Sequence, residues 1–358
     1  MRALVTGGSG FIGSHIVDAL VDRGDTVVVV DSLDTKVHGR MHPTIPDGTK
    51  FIHGDICAET VLHEALSERV DVVFHEAATV GVGHGGADAE SYVLNNIVGT
   101  AKLLRAIAAD SKQHQPRFVL ASTMAIYGDG AFRCEVCREN RVGRRKADDL
   151  AKSLWDPFCP VCGAKLTPQA SPETQPPSPG TVYAISKLGQ ELLAMNLGRE
   201  STIPVVALRY HNVYGPRMPR DTPYAGVASI FKSRLLAGIR PLVHEDGEQL
   251  RDFIHVDDIV QANILVAHAA EEDVAFEAFN VGTGHPHRIV DFARELASSL
   301  APGLEPEFPG SFRLGDARHI FADVSKLRRL GFTPRVSFEQ GVSRFAREPT
   351  RASVIAEV

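Results

Sequence analysis

The chain opens with the stretch ALVTGGSGFIGSH (residues 3–15), in which an apolar run leads into a glycine-rich turn and then into residues with helical spacing. Gly8, Gly10 and Gly13 fit the pattern G-x-G-x-x-G, and Gly7, Gly10 and Gly13 also fit G-x-x-G-x-x-G. Glycines at this spacing allow a tight turn, a close approach of the backbone to a pyrophosphate, and close packing of a helix on its strand. The stretch therefore predicts a strand, a turn and a helix that together bind a dinucleotide.

The alternation of strand and helix continues beyond this stretch. Further apolar runs occupy residues 27–30, 51–52, 72–74 and 118–120, with helical spacing between them. Strands that alternate with helices predict an α/β fold, here a Rossmann-type, doubly wound parallel sheet. Such a sheet binds its ligands at the carboxyl ends of the strands.

Composition excludes several other classes of protein. Of the 358 residues, 44% are hydrophobic and 23% are charged, as in an ordinary globular protein, and the formal net charge is −6 with no basic block. No apolar run approaches the roughly 18–20 residues of a spanning helix, and no secretion signal precedes the first strand. We therefore expect a cytoplasmic protein that binds neither nucleic acid nor a membrane.

The regular alternation stops after Gly128. Residues 129–180 carry charges of both signs and then many prolines, which is typical of an insertion into a loop. We expect a dinucleotide-binding domain at residues 1–208 that is interrupted by this insert. A smaller substrate-binding lobe follows at residues 209–358, interleaved with the last strands of the sheet.

The end of the second strand indicates which dinucleotide is bound. Asp31 lies 18 residues after Gly13, where a carboxylate would bind the adenosine ribose hydroxyls and repel a 2′-phosphate. NAD is therefore favoured over NADP, although Lys36 and Arg40 lie nearby and leave NADP open. A simple turn or capping role is the alternative for Asp31.

Tyr183 and Lys187 are four residues apart, so on a helix they share one face. A free phenol has a pKa near 10. A neighbouring ammonium, a helix N-terminus and an oxidised nicotinamide would all lower it and make the phenol a base. A surface pair without function is the alternative, because this spacing is common by chance.

Four cysteines form two C-x-x-C pairs inside the insert, Cys134 with Cys137 and Cys159 with Cys162. Four thiolates at this spacing can surround one Zn²⁺. We therefore expect a zinc-ribbon-like insert with a closed, structural metal site. Two disulfides or free thiols are the alternatives, and a reducing cytosol disfavours the disulfides.

Motifs in a fixed order along nearly the whole chain resemble the extended short-chain dehydrogenase/reductase family, in its branch of nucleotide-sugar epimerases and dehydratases. They are TGGSGFIGSH (6–15), GDI (54–56), HEAA (75–78), Asn95, STMAIYG (122–128), Tyr183-x-x-x-Lys187, RYHNVYG (209–215), DGEQLRDFIHVDD (246–258), NVGTG (280–284) and GDAR (315–318).

The resemblance implies roles for individual residues and a homodimeric assembly. Thr123, Tyr183 and Lys187 would be catalytic. The implied contacts with NAD are Gly7, Gly10, Phe11, Ile12, Gly13, Asp31, Ser32, Asp55, Ile56, Ala77, Ala78, Asn95, Tyr183, Lys187 and His211. The implied contacts with a nucleoside-diphosphate sugar are Thr123, Asn212, Arg251 and Arg318, where Arg251 could instead form an ion pair with Asp257 or Asp258.

The residues after Thr123 discriminate among the activities of the family. Dehydrating members usually carry Asp-Glu there, whereas this chain has Met124 and Ala125, which transfer no protons. No cysteine or acid adjoins Thr123 to suit a 3,5-epimerase either. We therefore expect a 4-epimerase with tightly bound NAD.

An NAD-dependent oxidoreductase acting on nucleotide sugars is the alternative among enzymes. A non-catalytic NAD-binding protein that engages partners through the insert is the alternative of another class. The cysteine insert is similar to that of dTDP-L-rhamnose 4-epimerase-like members and favours a dTDP-deoxysugar. His84 is a further candidate for substrate contact.

Overall fold

Buried aliphatic runs form the first strands of the structure, a computed structural model that describes residues 1–38, 45–81, 89–110, 115–220 and 225–352. The strands of this part are β1 (Arg2–Thr6), β2 (Thr26–Asp31), β3 (Lys50–His53), β4 (Val72–His75) and β5 (Arg117–Thr123). The helices between them are α1 (Phe11–Asp22), α2 (Thr35–His38), α3 (Glu59–Ala65), α4 (Ala89–Tyr92), a π-helix (Val93–Val98) and α5 (Gly99–Asp110).

The insert folds as a small unit of its own after a 3₁₀ turn at Met124–Tyr127. Its elements are β6 (Ala131–Cys134), β7 (Glu139–Val142), α6 (Ala147–Leu150) and β8 (Thr167–Gln169). The three strands pair antiparallel in the order β7-β6-β8. Phe132 and Leu166 pack with Cys134 and Cys159 in a separate small core.

The second half of the chain returns to the sheet and then leaves it for the smaller lobe. Its elements are α7 (Val182–Ser201), β9 (Val205–Tyr210), β10 (Asn212–Tyr214), β11 (Pro219–Arg220), α8 (Val227–Leu236), β12 (Leu250–Arg251), β13 (Phe253–His255), α9 (Val256–His268), α10 (Glu271–Val274), β14 (Glu277–Val281), β15 (His287–Arg288), α11 (Ile289–Leu300), β16 (His319–Ile320), α12 (Ser325–Arg329), α13 (Phe338–Arg347) and β17 (Arg351–Ala352).

Seven parallel strands form the central sheet, in the order β14-β9-β5-β4-β1-β2-β3. One face packs against α1 and α9, and the other packs against α3, α5 and α7. The strand order reverses between β1 and β4, which opens a crevice at their carboxyl ends. The predicted Rossmann-type sheet is thus confirmed.

The smaller lobe has an aromatic core between α8, α11 and α13. Tyr214 lies edge-on to Phe292 with ring centroids 5.3 Å apart, and Phe253 stacks on Phe292 at 4.4 Å. The boundary expected at residue 208 falls inside β9, and β14 and α9 bring residues 256–281 back to the central sheet. Within the described ranges, no helix has both the length and the apolar character that crossing a bilayer requires.

Candidate active site

The glycine-rich turn lies at the carboxyl end of β1 and leads into α1. Gly7 adopts a φ of +68°, a conformation that favours glycine, and its carbonyl oxygen accepts a hydrogen bond from the Gly10 N–H at 2.9 Å. A Cβ atom on Gly13 would lie 2.2 Å from the Gly7 carbonyl oxygen, so only glycine fits there. No side chain caps the N-terminus of α1, which leaves its first N–H groups available to an anion.

Asp31 faces this turn from the end of β2. Its Oδ2 accepts the Ser9 N–H and its Oδ1 accepts the Leu33 N–H, both at 2.9 Å. Burial raises the pKa of Asp31, but His38 and these two N–H groups outweigh burial, so the net pKa is lowered. The carboxylate is therefore charged. It lines the cavity and also closes the local turns through Ser9 and Leu33, so its contact with the ribose stays a prediction.

The sequence did not suggest a contact between His38 and Asp31. In the structure, His38 Nε2 lies 3.4 Å from Asp31 Oδ1. Arg40 lies outside the described residues, and the side chain of Lys36 is likewise not described. The suggestion that Lys36 and Arg40 leave NADP open as the cofactor therefore stays a prediction.

One cavity collects most of the residues expected around NAD. Its lining includes Gly7, Gly10, Asp31, Ser32, Asp55, Ile56, Ala77, Ala78 and Asn95. The side chains of Phe11 and Ile12 pack instead into the hydrophobic clusters, so these two residues offer only their backbone N–H groups.

His211 is buried, and neither ring nitrogen has a partner among the described residues. Burial lowers its pKa to about 4, so the ring is neutral and can donate to or accept from a bound group. The glycine cradle and the charged Asp31 fit NAD, whereas His211 is not among the residues that line this cavity or the cavity at Tyr183 in the described part of the chain, so its contact with NAD stays a prediction.

The three residues expected to be catalytic lie at the end of β5 and in the first turns of α7. Thr181 caps α7 by accepting the Ala184 N–H at 3.1 Å, which places Tyr183 in the first turn of the helix. Lys187 follows one turn later and is buried. Thr123 ends β5, and its side chain hydrogen-bonds Tyr183.

Lys187 is oriented by a buried polar network that the sequence analysis missed. Its Nζ donates to the Ala121 carbonyl oxygen at 2.7 Å and to the side chain of Gln190. Gln190 Nε2 donates to Thr100 Oγ1 at 2.8 Å, and Thr100 hydrogen-bonds His75 at 2.8 Å. Burial lowers the pKa of Lys187 to about 8, so most of the amine is protonated at pH 7.

The described side chains around Tyr183 do not lower its pKa below that of a free phenol. Burial raises that pKa to about 12, the hydrogen bond with Thr123 lowers it only in part, and Tyr92 raises it further. Among the described residues, Lys187 donates hydrogen bonds to Ala121 and Gln190 and none to Tyr183. A lower pKa would therefore need the other two expected contributions, the N-terminus of α7 and the positive charge of a bound oxidised nicotinamide.

A second cavity extends from Tyr183 into the smaller lobe. Met124, Ala125 and Asn212 line it near Tyr183, and Gln249 and Arg251 line it farther along. The side-chain oxygens of Asn212 and Gln249 are buried without a hydrogen-bond partner among the described residues, as in a site built for a polar ligand. His84 lies outside the described residues.

Arg251 lines this second cavity, and its expected contact with the diphosphate stays a prediction. Its guanidinium donates to the carbonyl oxygens of Ala317 at 2.5 Å and of Arg318 at 3.2 Å. Burial lowers its pKa to about 10, so it remains a cation at pH 7. The alternative ion pairs are excluded, because Asp257 pairs with Arg344 and Asp258 accepts the N–H groups of Arg335 and Val336.

The expectation that Arg318 binds a diphosphate is wrong. The Arg318 side chain is 2% exposed, and its guanidinium is bound by three carboxylates, those of Asp156, Glu245 and Asp246. Arg313, which the sequence analysis overlooked, is the arginine of this loop that lines the cavity. The two arginines flank the same Gly-Asp pair, so the local sequence does not tell them apart.

The four cysteines of the insert come together as expected. Their Sγ atoms all lie within 4.8 Å of one another, with 3.5 Å between Cys134 and Cys162 and 3.9 Å between Cys137 and Cys159. These distances exceed the roughly 2.05 Å of a disulfide. They are close to the roughly 3.8 Å between thiolates at about 2.3 Å from one tetrahedral Zn²⁺.

Comparison with known proteins identifies the family. The model of the "NAD dependent epimerase/dehydratase family" matches residues 3–153 and 159–282. The chain is 33% identical over 347 residues to the dTDP-L-rhamnose 4-epimerase of Burkholderia thailandensis, covering 95% of this chain and 93% of that protein.

Solved structures agree with this assignment. The UDP-glucose 4-epimerase of Thermotoga maritima with UDP-glucose matches with a TM-score of 0.78 and 31% identity over 97% of both chains. The UDP-glucose 4-epimerase of Thermus thermophilus in complex with NAD matches with a TM-score of 0.74 and 31% identity, over 97% of this chain and 98% of that one. The resemblance found in the sequence is confirmed, and the chain belongs to the NAD-dependent epimerase/dehydratase family.

Proposed function

We propose that the chain is a nucleotide-sugar 4-epimerase that retains its NAD. One observation carries the proposal: Tyr183, which interacts with Thr123, lines a cavity that also holds a buried cation, Arg251. A phenol, a hydroxyl and an ammonium together provide the groups that reversible oxidation of a secondary alcohol needs.

The protein's part in the reaction follows from these positions. Tyr183 Oη takes the proton of the sugar 4-hydroxyl, and Thr123 Oγ1 orients that hydroxyl through the hydrogen bond it shares with Tyr183. Lys187, held by Ala121 and Gln190, supplies a positive charge beneath the site. NAD, held by the glycine turn and Asp31, would supply a hydride acceptor and donor for carbon 4, and the keto sugar would turn in the pocket between the two transfers so that its other face receives the hydride. Tyr183 then gives the proton back, and the sugar leaves as its 4-epimer.

Arginine binds phosphate through a planar fork of donors, which suits Arg251 and Arg313 to the diphosphate of the substrate. Asn212 and Gln249 are suited to its other polar groups. The described lining of this cavity includes the uncharged residues Met124, Ala125, Gly81, Gly180 and Ile320. A sugar without a charged group at carbon 6 fits beside these residues. Together with the relative from Burkholderia thailandensis, this supports a dTDP-deoxysugar.

An oxidoreductase that exchanges its cofactor would use the same three residues and is the second candidate. It differs in needing NAD or NADH as a co-substrate. The protein, without added cofactor, is incubated with UDP-, dTDP- and GDP-sugars, and the products are followed by NMR. Conversion of one sugar into its 4-epimer supports the proposal. Conversion only with stoichiometric NAD or NADH supports the oxidoreductase and refutes the epimerase.

We propose that Cys134, Cys137, Cys159 and Cys162 hold a structural Zn²⁺. The sulfur-sulfur distances suit a tetrahedral ion, and the donor set is that of structural zinc sites. Four protein ligands leave no open coordination position, so the ion takes no part in catalysis. Four free thiols in one cluster also fit a reducing compartment, and we propose a cytoplasmic location on that basis.

We also propose that the protein is a homodimer. The π-helix and α7 pack side by side and expose Val93, Leu94, Ile185 and Leu192, each between 47% and 57% exposed. Such a patch on adjacent helices suits association with a second copy. Light scattering during size exclusion tests this. A dimer that Leu192→Glu converts to a monomer supports the proposal, and a monomeric wild type refutes it.

A further inference from the structure

The insert and the smaller lobe are joined by a buried cluster of charges that neither the epimerase reaction nor the cysteine cluster requires. Arg145, which follows β7 in the insert, has a side chain only 4% exposed, and its Nη1 donates to Glu245 Oε1 at 2.6 Å. Glu245 Oε2 accepts from Arg318 at 3.1 Å, and Arg318 in turn reaches Asp156 of the insert at 2.9 Å. Ion pairs of Arg145 and Arg318 with the carboxylates of Glu245 and Asp156 therefore join the insert to the lobe.

This cluster also fixes the loop that carries Arg313 into the second cavity. The carbonyl oxygens of three successive residues, 316 to 318, are each held by a guanidinium group. Arg145 donates to the Asp316 carbonyl oxygen from the insert side, and Arg251 donates to those of Ala317 and Arg318 from the cavity side. The loop is thus held between a residue of the insert and the cation that we assign to the diphosphate.

The backbone of Glu245 gives independent evidence that its surroundings hold this segment in place. Glu245 lines the cavity, is 4% exposed, and adopts a φ of +56°, which is unfavourable for a residue with a side chain. Strained backbone of this kind persists only where its surroundings hold it. Arg145 and Arg318 are the two side chains that hold the Glu245 carboxylate.

We propose that Arg145 is a positioning residue through which the insert sets the affinity of the active site for the nucleoside diphosphate of the substrate. The inference rests on the proposed function, because it takes the cavity of Arg251 and Arg313 to be the diphosphate site. Arg145 itself touches neither the reacting carbon nor the cofactor cavity. Its loss should loosen the loop and leave the chemistry at Tyr183 intact.

The test is the binding of UDP and of dTDP, each alone, measured by calorimetry. Arg145→Gln is expected to weaken the binding of the preferred nucleotide at least tenfold. The KM of the substrate should rise by a similar factor, while kcat changes less than threefold and bound NAD is unchanged. A merely structural role would reduce the amount of active protein and leave KM as it was.

The neighbouring Arg144→Gln is the matched control, because Arg144 is exposed and belongs to the same segment. Arg145→Lys serves if the glutamine variant does not fold. It keeps the charge beside Glu245 but cannot reach both Glu245 and the Asp316 carbonyl oxygen with one planar fork. It should therefore fold and still bind nucleotide more weakly than the wild type.

Two failures are distinguishable. If the wild type binds neither of these nucleotides and does not bind GDP either, the assignment of the diphosphate site is wrong, and the inference falls with it. If the wild type binds and both Arg145 variants bind equally tightly, the positioning role alone is refuted.

Discussion

Asp156 of the insert and Arg318 of the smaller lobe form an ion pair in which 2.9 Å separates Oδ1 from Nε. Arg318 lies in the GDAR motif (315–318), which suggested a ligand for the substrate, yet carboxylates bind its guanidinium from several sides. The residue joins the insert to the lobe. Its neighbour Arg313 lines the cavity.

Arg313→Ala and Arg318→Ala should therefore have opposite consequences. Arg313→Ala should raise the KM of the substrate about tenfold or more while the free energy of unfolding stays within about 0.5 kcal/mol, since the residue is exposed. Arg318→Ala removes one of the two cations that hold the buried Glu245 carboxylate and should lower the free energy of unfolding by about 1–3 kcal/mol. Steady-state kinetics and urea unfolding of both variants check this. Equal effects on KM with unchanged stability would restore Arg318 as a ligand.

Tyr183→Phe should lower kcat by about 100- to 10,000-fold, because the phenol oxygen is the group that accepts the proton. Bound NAD should stay at the wild-type level, since the ring still fills its place beside Thr123. Absorbance of the denatured supernatant measures the released cofactor. A Tyr183→Phe variant with the wild-type kcat would show that the Tyr183 hydroxyl does not accept the proton.

Replacing Cys159 and Cys162 by serine removes two of four clustered sulfurs. Bound zinc should fall from about one ion per chain to near zero, and the unfolding temperature should fall with it, because metal binding stabilises the folded insert. Cys57→Ser is the control, since Cys57 lies outside the cluster and should leave the zinc content unchanged. Zinc that persists in the double variant contradicts the site.

Glu76 should make stability depend on pH. It lines the dinucleotide cavity, and Tyr210 Oη donates to its Oε1 at 2.7 Å. Burial raises the pKa of Glu76 from 4.5 to about 7. The folded state thus favours the protonated form, and this contribution is complete below pH 4.5 and is lost as the pH rises through 7.

Glu76→Gln should remove that dependence. Between pH 5 and pH 8 the wild type should lose about 2 kcal/mol more unfolding free energy than the variant. Urea unfolding of both proteins at the two pH values measures the difference. If the wild type and Glu76→Gln lose the same unfolding free energy between the two pH values, the raised pKa of Glu76 is refuted.

Local spacing predicted the parts of the site that short stretches of chain can build. The glycines of residues 7–13 specify a turn that only glycine fits, and a spacing of four places Tyr183 and Lys187 on one helix face. Two C-x-x-C pairs suffice to bring four sulfurs together.

Contacts between distant residues decided the rest. Arg145 meets Glu245 across 100 positions, and Lys187 meets Ala121 across 66. Neither contact leaves a pattern in the nearby sequence. The raised pKa of Tyr183 likewise comes from burial by the folded chain, which residue spacing does not reveal.

In a 4-epimerase that retains its NAD, one hydride leaves carbon 4 of the sugar and returns to it within a single active site. A nucleotide sugar carrying deuterium at carbon 4, converted without added cofactor, tests this directly by NMR and mass spectrometry. We expect a 4-epimer that keeps its deuterium at carbon 4. Deuterium found in free NADH, or replaced at carbon 4 by hydrogen, would contradict it.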